Sequence, residues 1–74
     1  MDNYGEIFKT YREARGLSLK DIAESGLSTS QLSRFEKGES DLTITKFIKA
    51  LRKIKMPINE FMYATNNFKI DEIN

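Results

Sequence analysis

Seventy-four residues, 12 of them basic and 11 acidic, carry a formal net charge of +1 and make room for one small domain. The absence of cysteine and histidine excludes a disulfide framework and the usual zinc ligands. It also leaves acid–base work to carboxylates and lysines in a chain too short to enclose a substrate, so no enzyme, cofactor or metal is expected.

The apolar periodicity predicts helices in succession. Residues 3–15 place Tyr4, Ile7, Phe8, Tyr11 and Ala14 at helical i, i+3, i+4, i+7 spacing, and Gly16 follows as a stop. A second helix of about two turns opens at the N-cap Ser18 with Asp21 near its positive end, turns Leu19, Ile22 and Ala23 inward, and ends at Gly26. The third, 28–37, opens with a capping box: the Ser28 hydroxyl takes the amide three residues on, and Gln31 returns the bond to Ser28. Leu32 and Phe35 form its buried stripe, and Gly38 ends it. The fourth, 43–55, puts Ile44, Phe47, Ile48, Leu51 and Ile54 on one face. Pro57 sets the backbone for a fifth, 58–64, expected to bury Ile58, Phe61 and Met62. No sustained apolar/polar alternation and no hairpin turn signal point to strands. The expected fold is therefore all-α, a compact five-helix bundle over 1–64 with a tail or linker at 65–74. Helices this short hold only by packing together. No apolar run is long enough for a bilayer and no leader segment opens the chain, so the expected compartment is the cytoplasm and no membrane partner is expected.

Residues 18–38 read as helix, glycine-containing turn, helix. The third helix commits Leu32 and Phe35 to the core and leaves Thr29, Ser30, Ser33, Arg34 and Lys37 outside. Short hydroxyls, a guanidinium and an ammonium can donate to base edges or phosphates, and one helix fits a major groove about 12 Å wide. The same residues also suit a solvated helical face, and patterning leaves both readings open. Lys46, Lys49, Arg52, Lys53 and Lys55 follow with no acid between Asp41 and Glu60, and they too read either as a solvated face or as phosphate contacts. Glu39 and Asp41 make the intervening loop acidic.

From about residue 4 to residue 62 the chain resembles the Xre/Cro-type helix-turn-helix family. The resemblance rests on REARG at 12–16, the Ile22-Ala23 pair, LSRFEKG at 32–38, the apolar fourth helix and PINEF at 57–61. More narrowly, GEIFKTYREARGLSLKDIA with STSQLSRFEKGESDLT is similar to the amino-terminal domain of Rgg/MutR regulators. That resemblance implies a lambda-repressor-like bundle and a sequence-specific DNA-binding transcriptional regulator domain, with double-stranded DNA as partner and helix 28–37 in the major groove. It implies Thr29, Ser30, Ser33 and Arg34 at base-reading positions, with Lys20, Lys37 and the Ser18 helix start against phosphates. Ser28 would cap the reading helix, and Gln31 would either complete that cap or contact adenine. Arg12 and Glu36 would form an internal ion pair between the first and third helices.

Two departures stand out. Only Glu24 and Ser25 separate Ala23 from Gly26, where the wider family leaves three residues, and Leu19 stands where it often has glutamine. Useful specificity calls for two copies on half-sites about 34–36 Å apart, hence a homodimer on DNA, yet no dimer seam is legible within the bundle. Phe68, Ile70 and Ile73 could anchor the tail onto the bundle or onto a partner. In the Rgg/MutR family a helical-repeat region that dimerises and senses short peptides follows; it is absent from this chain, which reads equally as an isolated domain or a short protein. The competing reading, supported by near-neutral charge and the acidic loop, is a helical protein-interaction module of antitoxin or adaptor type.

Overall fold

The computed structural model describes residues 4–65, which form five α-helices: α1 Tyr4–Ala14, α2 Leu19–Ile22, α3 Thr29–Glu36, α4 Ile44–Lys53 and α5 Ile58–Thr65. Among the described residues there is no strand beyond a single antiparallel bridge between Glu24 and Leu27, so the all-α expectation holds. No helix is long and apolar enough to cross a membrane among the described residues. Residues 66–74, with Phe68, Ile70 and Ile73, lie outside the described residues. Thr65 belongs to α5, where its buried hydroxyl donates to the Met62 carbonyl at 2.8 Å.

Every helix contributes to one core. Phe8, Ile22, Leu32, Leu51, Ile54 and Phe61 are each at most 2% exposed. A run of aromatic contacts ties four helices together: Phe8 to Phe35 at 6.0 Å between ring centroids, Phe35 to Phe47 at 5.9 Å, and Phe47 to Phe61 at 5.1 Å. Tilted and edge-on pairs of this kind add to the effect of burial alone.

Connecting segments complete the core where helical periodicity carries no signal. α2 spans just over one turn, not the two expected, because Ala23 is already extended at ψ 145°. The chain then closes a tight turn through reciprocal backbone hydrogen bonds between Glu24 and Leu27, at 2.9 and 2.8 Å. Gly26, at φ 82°, occupies the turn position that demands a left-handed backbone. The turn delivers Leu27, 1% exposed, into the core, a better outcome for that side chain than another turn of helix. At the end of α4 the Met56 amide returns to the Leu51 carbonyl at 3.0 Å and the Lys55 amide to Arg52 at 3.0 Å. This double closure sets Lys55 at φ 59° and folds Met56 back over the core beside Leu51.

Three expected core positions are corrected. Ile44, Ile58 and Met62 are exposed, at 63%, 41% and 36%. α4 and its C-cap turn Ala50, Leu51 and Ile54 inward, with Phe47 half-buried against the core, and leave Ile44 at the helix start on the surface. In α5 the buried line passes through Phe61 and Thr65, four residues apart, which puts Ile58 and Met62 to one side of it.

α1 meets α3 at unusually close range. A Cβ on Gly5 would lie 1.7 Å from the Phe35 carbonyl oxygen and 2.9 Å from the Glu36 Cα, so only glycine lets the backbones approach. Gly5→Ala must therefore push α1 off the C-terminal end of α3. The expected loss is about 1–3 kcal/mol or more, read as a lowered midpoint in thermal or urea unfolding.

Candidate nucleic-acid interface

One local device starts both helices of the motif. The Ser18 hydroxyl accepts the Asp21 amide at 3.2 Å, and the Asp21 carboxylate accepts the Ser18 amide at 2.8 Å. The Ser28 hydroxyl accepts the Gln31 amide at 3.1 Å, and Gln31 Oε1 accepts the Ser28 amide at 2.9 Å. These bonds satisfy amides that the first helical turn leaves without intrahelical partners. They also engage Gln31 Oε1, the atom that an adenine contact would need, so Gln31 acts in this structure as a cap.

α3 is sorted cleanly by side. At 100° per residue, Thr29, Ser30, Ser33, Arg34 and Lys37 fall within about 140° of arc, with Leu32 and Phe35 across from them. Thr29, Ser30, Arg34 and Lys37 are exposed, Ser33 is half-buried, and Leu32 and Phe35 are buried. Lys20 and Ser18 stand exposed at the start of α2. Leu19 is half-buried against the core, so it contributes packing at the place where the family often offers a polar contact.

Glu36 lies next to Thr29 in angle yet is only 8% exposed, because Arg12 draws it inward. Arg12 Nε donates to Glu36 Oε2 at 2.7 Å and Nη2 donates to Oε1 at 3.0 Å, a two-pronged pair. Nη1 donates to the Leu17 carbonyl at 2.6 Å, and the Leu17 amide closes back on the Arg12 carbonyl at 3.2 Å. One guanidinium thus joins α1, the α1–α2 connection and α3. Its hydrogen bonds to Glu36 hold the Arg12 pKa above its ordinary value against the opposing effect of burial.

The cations of α4 are only partly free. The Glu24 carboxylate, in the turn before α3, lies 3.4 Å from Lys53 Nζ and 3.9 Å from Lys49 Nζ. Sequence reasoning missed this contact, since no helical spacing relates Glu24 to either lysine. Among the described residues no three potential metal ligands gather.

A helix-turn-helix family profile matches residues 8–61. Among solved structures the chain is similar to the SHP pheromone receptor Rgg2 of Streptococcus dysgalactiae, at 34% identity and a TM-score of 0.80, covering 88% of this chain and 24% of that one. A form of that receptor with one cysteine replaced by serine gives 33% identity, a TM-score of 0.78 and coverage of 81% and 22%. A candidate transcriptional regulator from Listeria monocytogenes gives 30% identity, a TM-score of 0.87 and coverage of 99% and 25%. The chain spans about a quarter of the length of these relatives.

Two outcomes follow from the site's geometry. Glu36→Ala leaves the Arg12 charge buried without its partner, so unfolding experiments should show a loss of about 3–5 kcal/mol; an unchanged melting temperature removes the clamp. For Asp21, the Ser18 backbone amide, and secondarily its hydroxyl, hold the carboxyl below its ordinary pKa. A depressed folded pKa contributes stability above the unfolded value of about 3.9, and that contribution disappears as pH falls through the lower folded value. Melts across this range should show the gap between the unaltered chain and Asp21→Ala narrowing as the solution is acidified.

Proposed function

This chain belongs to the helix-turn-helix family, and from that premise we propose that it is the sequence-specific DNA-reading domain of a transcriptional regulator. α3 lies in the major groove. The observation that supports this most directly is the outer face of α3, where hydroxyls, Arg34 and Lys37 stand together and the one carboxylate of the helix is turned away into the Arg12 pair.

Thr29 and Ser30, small and at the N-terminal end, let the helix approach base edges closely. Arg34 reads a guanine through two hydrogen bonds, worth about 1–3 kcal/mol of discrimination. Ser33 adds a shorter contact on the same face. Lys37 and Lys20, with the start of α2 at Ser18, lie against phosphates and set register without reading sequence. Ser28 and Gln31 support the reading helix through its cap. Two copies act together on half-sites about 34–36 Å apart. The domain works in the cytoplasm, where its DNA target lies. One longer relative is a pheromone receptor; in this chain the residues above contact DNA and not a peptide.

An anisotropy titration against a duplex selected from a random pool tests the proposal. Contact with roughly 3–6 phosphates gives a log–log salt slope of about −3 to −5. Arg34→Ala should weaken binding by about 1–3 kcal/mol and relax preference at one base pair, whereas Lys37→Ala should weaken all duplexes alike and reduce the slope by about 1. Binding to no duplex, or binding indifferent to salt, removes the reading and favours an adaptor-type module.

A further inference from the structure

Three helices end by the same device, and the sequence after α5 sets it up once more. At the end of α1 the Leu17 amide returns to the Arg12 carbonyl and the Gly16 amide to Glu13. At α3 the Glu39 amide returns to Arg34 and Gly38 to Phe35; at α4 the Met56 amide returns to Leu51 and Lys55 to Arg52. In each case the residue two past the helix end takes a left-handed backbone: Gly16 at φ 71°, Gly38 at 79° and Lys55 at 59°. The closure folds the following residue back over the last turn. Where that residue is apolar it packs inward: Met56 is 3% exposed, and Leu17 is half-buried against the core. Two past Thr65 stands Asn67, with the apolar Phe68 next. Asparagine is, after glycine, the residue that most readily takes this backbone.

An apolar cleft of about 540 Å³ lies beside α5. Ile44, Ile58, Met62 and Tyr4 rim it over the Phe35 and Phe47 rings, and Asp41 is the one charged residue on the lining. We propose that residues 67–70 form a strap across this cleft: Asn67 reverses the chain, Phe68 packs on Met62 and Ile70 on Ile58. The spacings match. Four residues of helix separate Met62 from Ile58 by about 6 Å, and two residues of extended chain carry Phe68 to Ile70 over about 7 Å. Alternation in an extended segment turns Phe68 and Ile70 to the same side. Lys69 stands between them, so this stretch brings a cation and no acid to the edge where Asp41 lies. Tethering favours the strap over a separate partner, because a segment joined so closely to its helix meets the cleft at an effective concentration on the order of millimolar. The strap uses no residue of the outward α3 face, so it stands apart from the DNA-reading function.

Nuclear Overhauser spectra of the full chain test the strap directly. They should show the Phe68 ring against the Met62 methyl group and Ile70 against Ile58. In a mixture of labelled and unlabelled chains these contacts should arise within one chain. Replacing both apolar residues, Phe68→Ser with Ile70→Ser, should lower the melting temperature by several degrees while helical circular dichroism is retained. The same pair should raise the fluorescence of anilinonaphthalene sulfonate several-fold, because the dye reports exposed apolar surface. Asn67→Gly should raise the melting temperature and Asn67→Val should lower it, since a β-branched residue resists a left-handed backbone. A helix running on through residue 67 reverses the sign for glycine. Absence of the Phe68–Met62 contact, or contacts that cross between chains and so make a second copy the occupant, would overturn the proposal. Dye fluorescence unchanged by the double substitution, or a lower melting temperature for Asn67→Gly, would overturn it as well.

Discussion

The position of α3 depends on one buried ion pair. Arg12 and Glu36 are 24 residues apart and each 8% exposed, and their two hydrogen bonds connect the last turn of α1 to the end of α3. The third arm of the guanidinium takes the Leu17 carbonyl, so the connection into α2 is fixed by the same group. Desolvating two charges consumes most of what their attraction returns, and such a pair is better understood as setting geometry than as raising stability. Here the geometry has a chemical consequence. A carboxylate at the edge of the α3 face would repel phosphates; held by Arg12, it anchors the helix from behind.

α3 is restrained from other directions as well. Gly5 allows α1 to lie against the Phe35 carbonyl, and Phe35 sits between Phe8 and Phe47 in the aromatic run. At its start, Ser28 and Gln31 close the first turn, and the bridge between Glu24 and Leu27 fixes the chain just before it. A helix of eight residues is marginal by itself, so its order comes from these contacts and not from intrinsic propensity. Rigid presentation matters for reading a groove, because hydrogen bonds to base edges need side chains that start from a fixed place.

Near-neutral net charge is compatible with a polyanion partner because the charges are segregated. Glu36 is internal, Asp21 is engaged at the start of α2, and Glu24 lies between Lys49 and Lys53 on the far side of the turn. Glu39 and Asp41 lie in the loop that leads away from α3, and Arg34 and Lys37 remain on its outer face. The local field over that face, not the total, is what an approaching polyanion meets.

Local chemistry within a few residues was readable from the chain itself. The five helices, the N-cap at Ser18, the capping box at Ser28 and the division of α3 into Leu32 and Phe35 on one side and hydroxyls and cations on the other all depend on neighbours within one or two turns. The pairing of Arg12 with Glu36 was implied by the family resemblance, since no periodicity relates residues so far apart. Tertiary structure alone decided the rest: that α2 stops at Ile22, that Leu27 and Met56 enter the core from turns, that Gly5 touches a carbonyl, and that Glu24 meets two lysines of α4. It also left Ile44, Ile58 and Met62 at the surface, although their spacing marks them as apolar faces like any other. Periodicity states which side of a helix is apolar; which part of that side is covered depends on where the other helices lie, and that is a property of the whole assembly.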